Sequence, residues 1–134
     1  MSIPNQSVAL IIQNSLNEYL MQLRDDKEGL RYRGMWGTVG GGILKTESLI
    51  KSVERELKEE TGLEKINLRI KYLTKKIDLY QNHKPLLINF FYCRIPSIKK
   101  IECYEGQMFK YFKKNEVLKL NIPKIVYNII NTLN

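Results

Sequence analysis

The sequence has few of the residues that build disulfide frameworks and soft metal sites. It contains two cysteines and one histidine. Cys93 and Cys103 are isolated and lack the spacing of a metal-binding pair, so we expect free thiols in a reduced, cytoplasmic setting. No apolar run approaches the ~20 residues that a membrane helix needs. The N-terminus also lacks the basic start and the small-residue cleavage site of a signal peptide, so we expect no membrane association.

Acidic residues are outnumbered, with 14 Asp and Glu against 22 Lys and Arg, which gives a net charge of +8. A chain of 134 residues is long enough to bury a core, and we predict one domain over residues 1–134. A basic body suits a polyanionic partner, either a nucleotide or RNA. The basic residues are spread along the chain, however, so solubility explains the same excess equally well.

Against this basic background, one predicted helix carries a cluster of acids. Glu56, Glu59 and Glu60 are spaced i, i+3 and i+4, so on a helix their carboxylates share one face. They repel one another, and they also lie at the helix end where the backbone dipole is already negative. A bound cation would offset this cost, and hard divalent ions such as Mg²⁺ prefer oxygen ligands. The alternative interpretation is a solvated acidic face on a surface helix.

The stretch around this cluster resembles the signature of the Nudix hydrolases, G-x5-E-x7-R-E-U-x-E-E-x-G-U, in which U is a bulky aliphatic residue. Chance would produce such a match on the order of once in a billion starting points at average residue usage. The match has no departure from the signature. The matching residues are Gly41, Glu47, Arg55, Glu56, Leu57, Glu59, Glu60, Gly62 and Leu63.

The resemblance implies an α/β fold, an α/β/α sandwich around a mixed β-sheet. The activity it implies is hydrolysis of a nucleoside diphosphate linked to another group, with Mg²⁺ or Mn²⁺ as cofactor. In this sequence the family's metal ligands correspond to Glu56, Glu59, Glu60 and the carbonyl of Gly40. Arg55 would orient the acids. Structural positions of the signature correspond to Gly41, Glu47 and Gly62.

Two acids are candidates for the general base, because the family assigns this role differently between branches. Glu56 lies within the signature. Glu105 lies outside it, in a region where many Nudix proteins carry an acid that reaches the metals or acts as base. The residues do not decide between the two.

Four residues outside the signature are candidate substrate contacts. Arg24 follows a predicted strand and could meet a phosphate or a base, or simply face solvent. Arg33 and Trp36 lie in a basic and aromatic stretch that suits a nucleotide, although a lone tryptophan is more often part of the core. His83, in a polar turn, is a candidate base, a stacking residue or a bystander.

We expect the substrate to be a small nucleotide, either a (d)NTP or a nucleotide sugar. One alternative is removal of a 5′ cap or pyrophosphate from RNA, which only the +8 charge suggests. Another is a catalytically inactive module that binds nucleotide or RNA. Dimerisation is common in the family and stays open.

Hydrophobic periodicity predicts an alternation of strands and helices. In the helix that carries the acids, the apolar stripe is Leu49, Ile50, Val53 and Leu57, and the N-cap is Thr46 or Glu47. Strands are predicted over 8–12, 18–24, 66–80 (one bent strand or two), 85–95 and within 101–112. Residues 36–42 are predicted as a short strand that breaks into a loop of glycines. Helical segments are predicted over 48–61 and 124–133, with a short turn or helix over 113–118.

Overall fold

A computed structural model describes residues 5–64, 68–80, 82–96 and 101–133. Within these ranges strands and helices alternate as the hydrophobic pattern predicts. The strands are β1 (Asn5–Gln13), β2 (Tyr19–Leu23), β3 (Trp36–Gly37), β4 (Val39–Gly42), β5 (Lys71–Asp78), β6 (Leu86–Arg94) and β7 (Met108–Phe112). The helices are α1 (Leu49–Thr61), α2 (Lys114–Val117) and α3 (Lys124–Thr132).

The centre of the sheet is β1. It pairs in parallel with β6 along its whole length and antiparallel with β4 from Ser7 to Leu10. β2 touches β1 only where Gln13 faces Tyr19, and then pairs with β3 and β7. The order β3-β2-β1-β6-β5, with β4 on β1 and β7 on β2, makes a mixed sheet.

Both faces of this sheet are buried, because successive side chains of a strand point to opposite faces. On β1, Val8 and Leu10 belong to the core shared with α1, whereas Ala9 and Ile11 belong to the core shared with α3. The α/β/α sandwich around a mixed sheet is therefore confirmed. The α1 core includes Val53 and Leu57, and the α3 core includes Val126, Ile129 and Ile130.

Helix α1 begins at Leu49, and its N-cap is Ser48. The Ser48 side chain accepts a hydrogen bond from the Lys51 N–H at 3.2 Å, so the predicted cap at Thr46 or Glu47 is wrong. The helix ends at Gly62, which adopts φ 76° and donates its N–H to the Lys58 carbonyl.

The buried face of α1 differs from the predicted apolar stripe. Ile50 is 40% exposed, so its assignment to the core was wrong. Val53 and Leu57 are buried as predicted, but Glu56 and Glu60 are buried beside them. Successive residues turn by about 100°, which puts Glu60 near the middle of this face and Ile50 at its margin. The helix therefore turns two carboxylates toward the sheet.

Residues 36–42, predicted as a short strand that breaks into a loop of glycines, form two strands, so the predicted loop is wrong. β3 pairs with β2, and after Thr38 the chain changes partner, so that β4 pairs with β1. A side chain at Gly40 would collide with the Val8 carbonyl oxygen, so this position admits only glycine. The change of partner carries the glycines under the acidic helix.

The remaining predicted elements agree with the structure where it describes them. β5 is one strand with an irregularity between Tyr72 and Thr74, while residues 66 and 67 of the predicted extended segment lie outside the described residues. Cys93 is buried and Cys103 is half-buried, and both are free thiols. No helix in the described ranges is both long and apolar enough to cross a membrane.

Candidate active site

The glycines of β4 meet the acids of α1 directly. The Gly40 N–H donates to Oε2 of Glu60 at 2.9 Å. A Cβ added at Gly41 would lie 2.5 Å from Oε1 of Glu56. Because the glycines have no side chains, both carboxylates pack against the strand's backbone.

Arg55 connects the β4–α1 loop to the acidic face. Its Nε and Nη2 donate to the two oxygens of Glu47 at 2.8 and 3.0 Å, and Nη2 also donates to the Gly42 carbonyl at 2.9 Å. Nη1 donates to Glu56 at 2.9 Å and to Glu59 at 3.1 Å. One guanidinium group therefore fixes the loop, the start of the helix and two acids of the cluster.

Glu47 is held at the junction of loop and helix. In addition to Arg55, the Leu44 N–H and the Ser52 hydroxyl donate to its Oε1, at 3.0 and 2.6 Å. The hydrogen bonds from Arg55 lower the pKa of Glu47 to about 2, and the bond from Ser52 contributes. Glu47 is thus an anion at neutral pH and a fixed anchor for Arg55.

Glu60 and Glu56 behave as a coupled acid pair. Burial is the largest cause that raises the pKa of Glu60 to about 9; the nearby charges of Glu56 and Glu105 contribute, and the Gly40 N–H opposes them. Burial also raises the pKa of Glu56, although Arg55 opposes this. The two carboxyl groups therefore bind a proton more readily than two exposed glutamates would.

The donor set fits a hard divalent cation. Glu56, Glu59 and Glu60 supply carboxylate oxygens, and the raised pKa values of Glu56 and Glu60 indicate that protein cations do not fully offset their charge. Glu59 is 58% exposed on its side chain. Within the described ranges, no three His, Cys, Asp or Glu side chains are grouped so that they could hold a metal ion as they stand. Mg²⁺ is usually held by a few carboxylates together with substrate phosphates.

A cleft of about 560 Å³ lies beside β4, and in the described part of the chain Glu56, Glu59 and Glu60 are not among the residues that line it. Gly40, Gly41 and Gly42 line the cleft, and these glycines also contact Glu60, Glu56 and Arg55. Apolar side chains from the strands and from α3 form part of the lining, including Ile88, Phe90 and Val126. A molecule bound in the cleft would therefore meet an apolar surface and the glycine backbone against which the acids pack.

Of the four predicted substrate contacts, the structure places Arg24 in the lining of the cleft. Arg33 is not among the lining residues found in the described ranges, and its Nε donates to Asp26 at 2.7 Å on the protein surface. Trp36 packs edge-on against Phe112 at 5.0 Å between ring centres, in the core shared with α3. The structure thus favours the core interpretation of Trp36.

His83 lies against Tyr80, with ring centres 5.2 Å apart, and its N–H donates to the Tyr80 carbonyl. It is not among the residues that line the cleft in the described part of the chain. This position favours the bystander interpretation over a catalytic base.

The charge of Glu105 is one of the lesser causes that raise the pKa of Glu60. The backbone carbonyl of Glu105 accepts hydrogen bonds from the Gln22 side chain and from the Cys103 thiol. Glu105 is exposed, whereas Glu56 is buried. The two acids predicted as candidates for the general base therefore differ in their exposure to solvent.

Sequence reasoning did not single out Arg31 and Tyr32, which line the cleft, or Asp78, which holds them. Asp78 accepts hydrogen bonds from both and lies 47 residues after Arg31 and 46 residues after Tyr32. The alternation of apolar and polar residues around Asp78 is misleading, because it predicts that Ile77 and Leu79 are buried and that Asp78 is exposed. The structure reverses this: Asp78 is 5% exposed, while Ile77 and Leu79 are 57% and 76% exposed.

The chain also matches the model of an established protein family. The model of the NUDIX domain matches residues 4–130 of the chain. The chain therefore belongs to the Nudix family, as its signature residues indicated.

Particular relatives extend the comparison. The 8-oxo-dGTP diphosphatase of Buchnera aphidicola subsp. Schizaphis graminum is 31% identical over 137 aligned residues, which cover 99% of this chain and 95% of that protein. The structure of the E. coli dihydroneopterin triphosphate pyrophosphohydrolase is similar at a TM-score of 0.80 and 16% identity, covering 98% of this chain and 97% of that one. The MutT protein from Methanosarcina mazei Go1 is similar at a TM-score of 0.81 and 21% identity, covering 98% and 94%.

Proposed function

We propose that this protein is a divalent-metal-dependent pyrophosphohydrolase of a small nucleotide, with a purine deoxynucleoside triphosphate such as 8-oxo-dGTP as the leading substrate. One observation carries the proposal: Gly40 and Gly41 line the cleft, and the same two glycines contact Glu60 and Glu56. A nucleotide that placed its phosphates against these glycines would bring them close to the proposed metal ligands. The named activity of the Buchnera relative supports the choice of substrate.

The proposed metal ligands are Glu56, Glu59, Glu60 and the Gly40 carbonyl. A bound Mg²⁺ or Mn²⁺ would neutralise phosphate charge and lower the pKa of a bound water. Arg55 holds two of the acids in place, and Glu60 must give up its proton before it can act as an anionic ligand. Phosphoryl transfer depends mainly on positioning and charge neutralisation. The contacts of Arg55 provide the positioning.

We propose Glu105 as the general base and Glu56 as a ligand. Glu56 is buried and accepts a hydrogen bond from Arg55 at 2.9 Å, whereas Glu105 is exposed and its charge acts on the pKa of Glu60. Water would attack a phosphorus of the pyrophosphate linkage and lose a proton to Glu105. The anhydride P–O bond would break, giving a nucleoside monophosphate and inorganic pyrophosphate from a triphosphate.

The test is an activity panel with and without Mg²⁺ or Mn²⁺. It contains 8-oxo-dGTP, dGTP, a nucleotide sugar and a 5′-triphosphorylated RNA, and it measures monophosphate and pyrophosphate. We expect metal-dependent turnover of 8-oxo-dGTP above the other compounds. Turnover without metal, or no turnover of any nucleotide, would contradict the proposal.

Substitutions assign the acids. Glu105→Gln should lower kcat by about 10²–10⁴-fold if Glu105 is the base, with metal affinity retained. Glu60→Gln should weaken metal binding and activity together. Glu54→Gln is the matched control, since Glu54 lies on the same helix but pairs with Lys51 at its surface. Full activity of Glu105→Gln together with loss in Glu56→Gln would move the base to Glu56.

A further inference from the structure

Asp78 is a buried carboxylate that holds one side of the cleft. It lies at the end of β5 and is 5% exposed. Its Oδ2 accepts from Arg31 Nε at 2.8 Å, and its Oδ1 accepts from the Tyr32 hydroxyl. Its backbone carbonyl accepts from Arg31 Nη2 at 3.0 Å. One residue of the sheet therefore fixes two consecutive residues of the loop between β2 and β3.

Arg31 makes one further contact in addition to its bonds to Asp78. Its Nη1 donates to the Lys84 carbonyl at 3.1 Å, so each of its three guanidinium nitrogens donates to a protein oxygen. The carboxylate of Asp78 balances its charge. Although Arg31 lines the cleft, its contacts are those of a structural residue rather than of a free phosphate ligand.

The backbone of Arg31 in turn holds Arg24. The Nε of Arg24 donates to the Arg31 carbonyl at 2.9 Å. Arg24 also lines the cleft. This contact uses only Nε, and within the described ranges no protein partner is found for its two Nη groups. Arg24 therefore presents donor groups that a nucleotide phosphate or base could use, in an orientation that Arg31 sets.

Tyr32 shows that this loop is held against a local conformational cost. Its φ is +56°, in the left-handed region that bulky side chains rarely adopt. The bond from its hydroxyl to Asp78 and the tilted contact of its ring with Tyr80, at 4.2 Å between ring centres, hold it there. Backbone strain of this kind persists only where the surroundings over-determine it, and it concentrates at functional sites.

We propose that Asp78 is a positioning residue for nucleotide binding, which fixes Arg31 and Tyr32 and, through the Arg31 carbonyl, holds Arg24 in the cleft. The inference rests on the proposed function, because it assumes that the cleft takes a nucleotide. It assigns Asp78 no contact with the substrate. Its effect should therefore appear in substrate affinity and depend on Arg24, while the acids of α1 keep their arrangement.

The test measures binding and turnover separately for Asp78→Asn. The dissociation constant of 8-oxo-dGTP is measured without metal, in the presence of a chelator, and KM and kcat are measured with Mg²⁺. We expect the dissociation constant and KM to rise about tenfold, the usual effect of losing one charge-assisted hydrogen bond, here the one that Arg24 would make to the nucleotide, with kcat changed much less. Asp26→Asn is the matched control, because it also removes one carboxylate charge. Asp26 lies in the loop that contains Arg31 and Tyr32, where it forms an exposed ion pair with Arg33. This substitution should leave both constants unchanged.

A double-mutant cycle distinguishes positioning of Arg24 from general damage. In an Arg24→Ala background, Asp78→Asn should cause no further loss of affinity. Fully additive losses, or unchanged affinity in a folded Asp78→Asn, would overturn the inference. If Asp78→Asn does not fold, Tyr32→Phe removes one bond to Asp78 and should still raise the dissociation constant about threefold, and no change there would overturn the inference instead.

The two proposals fail in different ways. If the wild type binds 8-oxo-dGTP without hydrolysing it, and Asp78→Asn weakens that binding, the proposed hydrolysis is contradicted and the role of Asp78 is supported. If the wild type hydrolyses 8-oxo-dGTP and KM is unchanged in Asp78→Asn and Tyr32→Phe, the proposed hydrolysis is supported and the role of Asp78 is contradicted. No binding of 8-oxo-dGTP by the wild type would contradict both.

Discussion

Arg55 and Glu47 form a two-pronged ion pair, with Nε and Nη2 of the arginine on the two oxygens of the carboxylate at 2.8 and 3.0 Å. The geometry matters because Nη1 remains available for Glu56 and Glu59. This arrangement needs the planar, forked set of donors of a guanidinium group, because lysine carries all its donors on a single nitrogen.

Arg55→Lys should therefore lower kcat by about 10–100-fold while the protein stays folded. The lysine keeps the charge but cannot hold Glu47 and the acid cluster at the same time. Steady-state kinetics together with circular dichroism would check this. Lys58→Arg is the control, since Lys58 on the same helix pairs with Glu64 at the surface and should tolerate the change. Unchanged kcat in Arg55→Lys would show that the fork is not required.

Metal binding should release a proton, because Glu60, with a pKa of about 9, holds one at neutral pH. We expect the affinity for Mg²⁺ to rise with pH by up to about tenfold per unit between pH 6 and 9. Calorimetry in buffers of different ionisation enthalpy would count the released proton. In Glu60→Gln the pH dependence should flatten, and a steep dependence in that variant would assign the proton elsewhere.

The same shift affects the stability of the metal-free protein. Since the pKa of Glu60 is higher in the folded protein than its ordinary value of 4.5, the folded state binds the proton more tightly. As pH rises from about 5 to about 9 the unfolded chain ionises first, so the free energy of unfolding should fall, on the order of 1–3 kcal/mol. Urea denaturation at several pH values measures this. Stability that rises over this window would contradict the assignment.

Gly41→Ala should displace the Glu56 carboxylate, because the new Cβ would lie 2.5 Å from Oε1. We expect a loss of about 10–100-fold in kcat and a lowered Tm. Gly42→Ala is the control for strand stability, since a Cβ there meets no atom within 4 Å, and its Tm should match the wild type. Equal Tm values and equal kcat for Gly41→Ala and the wild type would show that the carboxylate relaxes freely.

Leu57 and Ile50 test the observed orientation of α1. Leu57 is fully buried and Ile50 is 40% exposed. Leu57→Ala should cost about 2–5 kcal/mol of unfolding free energy through lost burial and a cavity, and Ile50→Ala less than about 1 kcal/mol. Chemical denaturation measures both. Similar costs at the two positions would contradict this orientation of the helix.

Local patterns predicted the parts of the fold that depend on short-range physics. The strand at 85–95 and the terminal helix follow from runs and periods within a few residues of one another, and both are present as β6 and α3. The division of residues 36–42 between two strands was missed, because a change of pairing partner leaves no mark in local alternation. The burial of Ile50 was predicted wrongly for a related reason. Which side of a helix is buried depends on how the helix packs against the sheet.

By itself, the sequence determined the family and the set of acids, because both are written in residue types at fixed spacing along one helix. Only the tertiary structure decided how Glu56 and Glu60 are buried beside the glycines of β4, and which of the candidate contacts lie in the cleft. It also decided the role of Asp78, whose partners Arg31 and Tyr32 are 47 and 46 residues away. Burial and charge coupling depend on neighbours that folding brings together, and no local pattern encodes them.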